Sequence, residues 1–195
     1  AQMIVDMAYM RAMPNMIVVQ PADWEETVQA TRALIDYEGP AYFRLGRPKV
    51  KGIFDSSYKF EIGKGRVVKK GSDLVIFATG IMVQESLVAM EKLAKENINV
   101  TLVNISTIKP IDREIITELA TSHGAVITAE DHNYIGGLGD AVGEVLLDQQ
   151  ISVPFKRVAV NDQFAETGTG PELFEKYGLS ANHIVQAVKN TLKLK

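Results

Sequence analysis

The densest group of chemically versatile side chains lies between residues 129 and 140, which read Ala-Glu-Asp-His-Asn-Tyr-Ile-Gly-Gly-Leu-Gly-Asp. Glu130, Asp131 and His132 are of the types that bind a metal ion or transfer protons. The glycines that follow could let backbone N–H groups approach an anion at a helix start. The dinucleotide-binding fingerprint is not matched, however, because a valine stands where its third glycine would be. Since glycine-rich helix starts often serve close packing, a structural or interfacial role is favoured here and ligand binding is the alternative.

Two arginines, Arg44 and Arg47, stand at the end of a predicted strand with Leu45 and Gly46 between them. A planar guanidinium binds phosphate through two parallel hydrogen bonds, and the small Gly46 keeps the backbone accessible to a ligand. The pair is therefore a candidate phosphate site. From spacing alone, the favoured alternative is that surface arginines pair with helix carboxylates.

The other candidate residues favour structural roles. His123 precedes a glycine at a strand entrance and His183 lies in the first turn of the last helix, so both are interpreted as structural histidines. The polar segment 161–170 is interpreted as a packing or interface loop, with the lining of a cleft as the alternative. The sequence contains no local nucleophile motif, Walker loop, zinc pattern or EF-hand.

Composition argues against several classes of protein. The chain has 195 residues, with 21 Lys and Arg against 24 Asp and Glu, and a net charge of −3. This balance argues against nucleic-acid or membrane-surface binding, because phosphate contacts need an excess of basic side chains. No apolar stretch is long enough for a membrane helix, and the start does not resemble a signal peptide. The absence of cysteine excludes disulfides and thiolate catalysis, and it fits a cytoplasmic location.

The order of the predicted elements indicates an α/β protein. Residues 1–47 predict helix, strand, helix and strand, with helices over Met3–Met13 and after Asp23, where Glu26 completes a capping box. This run has too few strands to be a domain, and its first helix has no cap, so we expect a fragment of a larger protein. Residues 48–57 carry proline, glycine and lysines without periodicity, which predicts a linker.

From about residue 58 the pattern predicts one complete domain. A hairpin is expected first, with strands over 59–62 and 66–69 and a turn at Gly63–Gly65. Short apolar strands then alternate with amphipathic helices, of which Asp112 and Ser180 are expected to cap two. These strands are predicted over 73–78, 99–104, 125–129 and 156–160. Such alternation implies a parallel sheet covered on both faces, which is a three-layer architecture.

Several motifs spread over nearly the whole chain resemble one enzyme family. Five segments resemble the end of the pyrimidine-binding domain of transketolases: Asp6–Arg11, Pro14–Asn15, Pro21–Asp23, Gly39–Pro40 and Arg44–Arg47. Four later segments resemble the transketolase C-terminal domain: Glu130–His132, Gly136–Gly139, Asn161–Gly168 and Glu175–Gly178. The chain is most similar to the C-terminal half of a split transketolase, which is built from two kinds of subunit. The resemblance implies the end of a pyrimidine-binding domain (1–47), a linker (48–57) and a C-terminal domain (58–195).

The resemblance implies an enzyme of the pentose phosphate pathway that uses thiamine diphosphate and Mg²⁺ to move a two-carbon ketol unit between sugar phosphates. In that family the residues that contact the pyrimidine ring precede the position matched by residue 1, and the diphosphate and metal ligands come from another domain. The resemblance thus assigns no catalytic, cofactor-binding or metal-binding residue to this chain. It implies an N-terminal transketolase subunit as partner, a homodimer or heterotetramer with active sites at a dimer interface, and no activity of this chain alone.

One binding residue carries over from the family. Arg47 matches the arginine that grips the phosphate end of the sugar together with a histidine. That histidine usually stands just before the glutamine that Gln2 matches, but Ala1 occupies the position here. Because the family generally has no catalytic residue in its C-terminal domain, the resemblance favours packing or dimer contacts for Glu130 and His132.

Three alternative functions stay open. Two are related enzymes, namely 1-deoxyxylulose-5-phosphate synthase and the β subunit of a 2-oxoacid dehydrogenase. The run Arg-Leu-Gly-Arg-Pro argues against the dehydrogenase, whose substrates carry no phosphate, but it separates transketolase from the synthase only weakly. The third is not an enzyme: a regulatory or dimerisation module that binds a small anion at the 130–140 segment.

Overall fold

The computed structural model describes residues 3–195, so the expectation about Ala1 and Gln2 lies outside the described residues. Within them the helices are α1 (Asp6–Ala12), α2 (Trp24–Ile35), α3 (Met82–Ala94), α4 (Arg113–His123), α5 (Leu138–Asp148), α6 (Gly170–Lys176) and α7 (Ala181–Leu192). The strands are β1 (Ile17–Val19), β2 (Ala41–Phe43), β3 (Arg66–Lys69), β4 (Val75–Ala78), β5 (Thr101–Asn104), β6 (Thr107–Lys109), β7 (Val126–Asn133) and β8 (Phe155–Val160). None of these helices has the length and apolar character needed to cross a membrane.

A five-stranded sheet forms the centre of the larger part of the molecule, in the order β3-β5-β4-β7-β8. Strands β5, β4, β7 and β8 are parallel, whereas β3 pairs antiparallel with β5 at one edge. The parallel sheet predicted from the alternating pattern is therefore confirmed, with one antiparallel edge strand added.

Helices cover both faces of this sheet. Successive residues of β4 point to opposite faces, so Ile76 belongs to the core beneath α3 and α7 while Phe77 belongs to the core beneath α4 and α5. Both side chains are fully buried, as is usual for a parallel sheet between two helical layers. The predicted three-layer α/β architecture is confirmed.

A second, three-stranded sheet joins the N-terminal segment to the middle of the chain, in the order β2-β1-β6. Strand β1 pairs parallel with β2 on one side and antiparallel with β6 on the other. Because β6 follows β5 closely in sequence, the small sheet is completed by a strand from the larger part of the chain. Met7 of α1 and Val18 of β1 also pack into the core beneath α4 and α5.

The predicted hairpin over 59–69 is wrong. Residues 59–62 form no strand, and β3 pairs instead with β5. Gly63 does lie in a turn, with φ +82°. Gly65 serves close packing, because a Cβ there would lie 2.8 Å from Ile105 Cδ1. The glycine pair thus marks a turn and a tight contact, which the sequence pattern does not distinguish from a hairpin turn.

Two of the three predicted helix caps are confirmed. The Glu26 N–H donates to Asp23 Oδ1 at 2.9 Å, although the Glu26 carboxylate reaches the N–H of Ala22 rather than that of Asp23. Asp112 likewise accepts from the third residue of α4 at 3.2 Å. The side chain of Ser180 precedes α7 but makes no cap hydrogen bond to the helix backbone.

The segment 48–57 contains no helix or strand but is held to the fold. Asp23 Oδ2 accepts the N–H groups of Ile53 and Phe54 at 2.6 and 2.8 Å. The Phe54 ring stacks on Tyr58 with centroids 4.0 Å apart, and the Tyr58 hydroxyl donates to the fully buried Glu26 at 2.5 Å. These contacts hold the 48–57 segment and Tyr58 against the start of α2.

Candidate functional site

Glu130 closes the glycine-rich helix start from inside the protein. Its side chain is fully buried on β7, and its two oxygens accept the N–H groups of Leu138 and Gly139 at 2.7 and 2.8 Å. A carboxylate of the chain thus occupies the place that a bound anion would take at a helix N-terminus. Gly137 makes the approach possible, because a Cβ there would overlap Glu130 Oε2.

His132 performs a similar task at the start of α1. Its Nε2 accepts the N–H of Ala8 at 3.4 Å, so the proton of the neutral ring lies on Nδ1, which donates to the Asn133 carbonyl at 2.7 Å. Burial lowers the pKa of His132, which favours this neutral form. Since no side chain caps α1 at Val5, the histidine satisfies a helix N–H that would otherwise lack a partner.

The structural interpretation of the 130–140 segment is therefore supported. Both helix starts are filled by side chains of the chain itself, which argues against the anion-binding module. Within residues 3–195, no group of three or more Asp, Glu or His side chains is arranged to hold a metal ion. The metal-binding interpretation of Glu130, Asp131 and His132 has no support in this geometry.

Glu130 gives rise to a pH dependence of stability. Burial raises its pKa from 4.5 to about 7, against the lowering effect of its two backbone hydrogen bonds. Between these values the folded protein holds a proton that the unfolded chain has released, so the free energy of unfolding falls as pH rises through this window. We expect a loss of about 3 kcal/mol from this group between pH 4.5 and 7.5.

Urea denaturation of the wild type and of Glu130→Gln across this pH range tests the expectation. The wild type should lose more stability than the variant as pH rises, because glutamine does not titrate. Parallel pH profiles for the two proteins would contradict the raised pKa.

Asp131 lies on the opposite side of β7 and belongs to a different network. Its Oδ1 accepts from Arg44 Nη1 at 2.8 Å and from Gln20 Nε2 at 2.7 Å. Arg44 also pairs with Asp6 through Nε at 2.8 Å, and Tyr42 donates to the same Asp6 oxygen at 2.7 Å. Burial lowers the pKa of Arg44, but Asp131 and Asp6 more than offset this, so its pKa is raised and it stays charged.

A cleft of about 370 Å³ lies beside this network. It opens where the carboxyl ends of β2 and β8 meet α6, the kind of position where ligands bind in α/β proteins. Its walls are mainly apolar, and its charged groups are Asp6, Arg44, Arg47 and Asp131. The lining includes Ile4, Phe43, Leu45, Ile81, Leu173 and Phe174.

The structure separates the two candidate arginines. Arg44 has a side chain only 12 % exposed and is fully engaged with carboxylates and carbonyls. Arg47 is exposed at the cleft, and among residues 3–195 it forms no ion pair. The predicted pairing of a surface arginine with a helix carboxylate holds only in part, because Arg44 is largely buried and pairs with Asp6 of α1 and with Asp131 of strand β7.

The remaining candidates have local partners. His123 Nε2 lies 2.8 Å from Thr101 Oγ1, and His183 Nδ1 lies 2.8 Å from Ser180 Oγ, so both histidines are structural as predicted. The 161–170 segment contributes Ala165 and Gly170 to the cleft, so its alternative role as a cleft lining is observed.

The two helix starts do not fit the diphosphate of thiamine diphosphate. A diphosphate needs free backbone N–H or cationic donors, and the N–H groups at the starts of α5 and α1 are already bonded to Glu130 and His132. Within residues 3–195, no group of three or more metal-ligating side chains is arranged to hold the metal ion.

Comparisons with known proteins point to one family. The model of the transketolase C-terminal domain matches residues 63–184, and the model of the transketolase pyrimidine-binding domain matches residues 1–52. A solved structure described as a split gene transketolase in an inactive β4 tetramer superimposes with a TM-score of 0.95. It is 46 % identical, and the match covers 100 % of this chain and 63 % of that one.

Three curated relatives show how the family varies. A protein of Methanocaldococcus jannaschii, provisionally described as a transketolase C-terminal section, is 41 % identical over 98 % of this chain and 60 % of its own length. A 6-deoxy-6-sulfo-D-fructose transketolase subunit of Clostridium sp. is 40 % identical over 97 % of this chain and 59 % of its own. A 1-deoxy-D-xylulose-5-phosphate synthase of Syntrophotalea carbinolica is 37 % identical over 96 % of this chain and 30 % of its own.

The chain thus spans about three fifths of the first two relatives and less than a third of the synthase. The C-terminal family model alone covers more than half of the chain. By these matches and by its fold, the chain belongs to the transketolase family and carries that family's C-terminal domain.

Proposed function

We propose that this chain is the C-terminal part of a two-subunit transketolase that transfers a two-carbon ketol unit between sugar phosphates. The observation that carries the proposal is Arg47, an exposed guanidinium without an ion-pair partner among the described residues, at a cleft beside a fixed ionic network. The match to a split transketolase over the whole chain supports it.

In this proposal Arg47 binds the phosphate group of the sugar, far from the carbon atoms that react. Such remote binding energy positions the reacting carbonyl and lowers the barrier when it is used in the transition state. Thiamine diphosphate and Mg²⁺ are held by other parts of the complete enzyme, and the cofactor supplies the carbanion chemistry. The chain's own contribution is to bind and orient the anionic end of the substrate.

The proposal also covers the organisation of the protein. Residues 1–47 form the end of a pyrimidine-binding domain, residues 48–57 form a linker, and residues 58–195 form the C-terminal domain. The active sites lie at a dimer interface, and the enzyme is located in the cytoplasm. The family models, which end at residue 52 and start at residue 63, support a junction in this region. The solved relative is described as an inactive β4 tetramer, which supports the proposal that this chain associates with copies of itself but is inactive without an N-terminal subunit.

We expect that this chain alone neither binds thiamine diphosphate nor catalyses ketol transfer, because in the family the residues that hold the cofactor belong to other parts of the enzyme. Calorimetric titration with thiamine diphosphate and Mg²⁺ tests the first point. A coupled transketolase assay tests the second, by comparing the chain alone with a full-length C-terminal subunit that contains it, combined with an N-terminal subunit. Micromolar cofactor binding or turnover by the chain alone would contradict the proposal.

A second candidate substrate carries a sulfonate instead of a phosphate, and the sulfo-sugar transketolase subunit among the relatives favours it. A sulfonate has one negative charge, whereas a phosphate monoester has about −1.5 to −2 at neutral pH. A guanidinium binds either oxyanion, so Arg47 does not decide between them. The rates of the complete enzyme with a ketose phosphate and with a 6-sulfo ketose decide between the two substrates. Formation of 1-deoxyxylulose 5-phosphate would instead identify the enzyme as the synthase.

A further inference from the structure

Asp131 connects the large sheet to the segment that carries Arg47. It belongs to β7, yet its partners lie in the small-sheet part of the chain. Its Oδ1 accepts from Gln20 and from Arg44, and its backbone carbonyl accepts from Arg44 Nη2 at 3.1 Å. The C-terminal domain therefore contacts Arg44 with both a side-chain and a main-chain oxygen.

Arg44 is held at every nitrogen of its guanidinium. Nε pairs with Asp6, Nη1 with Asp131, and Nη2 with the carbonyls of Met3 and Asp131. Its backbone N–H also bonds to the Val19 carbonyl at 2.8 Å, which continues the β1–β2 pairing. A planar guanidinium with this many acceptors has one available orientation, so the side chain of Arg44 is fixed in place.

The loop that carries Arg47 follows directly after Arg44. Leu45, Gly46 and Arg47 are exposed, and Leu45 is 57 % exposed despite its apolar side chain. Three residues of extended chain span at most about 10 Å, so the position of Arg44 restricts where Arg47 can reach. Asp131 is therefore connected to the start of this loop through Arg44.

We propose that Asp131 is a positioning residue for the sugar-anion site: through Arg44 it fixes the loop that presents Arg47. This inference rests on the proposed function and deepens it. It gives the C-terminal domain a role in substrate binding, although none of that domain's own residues need contact the substrate anion.

The test uses Asp131→Asn in the complete enzyme, in which this chain is part of a full-length C-terminal subunit paired with an N-terminal subunit. Asparagine keeps one acceptor oxygen but removes the charge that orients Arg44. We expect KM for a ketose phosphate to rise on the order of tenfold with kcat nearly unchanged, and KM for the dephosphorylated ketose to stay the same. Amide hydrogen exchange at Arg44, whose N–H bonds to the Val19 carbonyl, should become faster.

A second variant and a matched control make the result specific. Arg44→Lys keeps the positive charge but not the planar fork, so it should show the same split between KM and kcat. Glu144→Gln removes the pairing with Arg11, which also joins α1 to the large-sheet part but does not contact the 45–47 loop. That control should change neither KM nor the exchange of the Arg44 amide.

The outcomes separate this inference from the proposed function. If Arg47→Ala leaves KM for the ketose phosphate unchanged, the proposed phosphate site fails and the inference fails with it. If Arg47→Ala raises KM but neither Asp131→Asn nor Arg44→Lys does, the proposed function stands and the inference is overturned. Faster exchange of the residue 44 amide without a change in KM would likewise overturn it.

Discussion

Replacing Arg47 by alanine in the complete enzyme is expected to lower kcat/KM for sugar phosphates by about 10²–10⁴-fold. Each hydrogen bond from a charged donor contributes about 1.5–3 kcal/mol, and a guanidinium makes two to one phosphate. Arg47 is exposed at the cleft and has no ion-pair partner among residues 3–195, so the substitution leaves no buried carboxylate unpaired. Steady-state kinetics with a ketose phosphate measure the loss, and thermal unfolding should show a nearly unchanged stability.

The control for this prediction is Lys49→Ala. Lys49 is a cation two residues further along, is also exposed, and lines a neighbouring groove rather than the cleft. Its removal changes the net charge by the same amount as Arg47→Ala but should alter kcat/KM by less than about threefold, since surface charges act weakly at a distance. Equal losses for the two variants would mean that general electrostatic attraction, and not a phosphate contact, explains the effect.

Local signals in the sequence predicted much of the fold. The starts of α2 and α4 were predictable because Asp23 and Asp112 cap helices through amides three residues away. The strands of the large sheet were predictable because strands buried on both faces must be apolar along their whole length. The short helix α6 also has a local signal, the Thr169–Glu172 capping box with a proline in its first turn.

Non-local pairing accounts for what the sequence did not predict. Strand β6 has only three residues, and it exists because it pairs with β1, far away in the sequence. Strand β3 was expected to pair with its neighbour in sequence but pairs with β5. Periodicity within a segment carries no information about which distant segment it will meet.

The same limit applies to the candidate site. Arg44 and Arg47 look equivalent in sequence, because each is an arginine at the end of a predicted strand. They differ only through Asp6 and Asp131, which lie 38 and 87 residues from Arg44 and hold it in an ionic network. The resemblance to a family selected Arg47, and the structure supplies the physical reason why the other arginine is occupied.

Gly137→Ala is expected to destabilise the protein by about 3–5 kcal/mol. A Cβ at this position would overlap Glu130 Oε2 and lie 2.7 Å from Glu130 Cδ and 2.9 Å from His132 Nδ1. Both neighbours are fully buried, so Glu130 would have to leave the N–H groups of Leu138 and Gly139. The cost combines overpacking of about 1–3 kcal/mol with the loss of hydrogen bonds to a buried group. Urea denaturation at pH 7.5 measures the change.

Gly143→Ala is the matched control on the same helix. Among residues 3–195 and outside the backbone of α5, the one atom within 4 Å of a Cβ at Gly143 is Phe155 Cε1 at 3.7 Å, which is an ordinary contact. Since alanine is favoured over glycine inside a helix by about 1 kcal/mol, this variant should be slightly more stable than the wild type. A double variant, Glu130→Ala with Gly137→Ala, should cost no more than Glu130→Ala alone, because the overlap no longer exists. If the two single substitutions instead add, Glu130 does not fill the start of α5, and that helix N-terminus is again available to an anion.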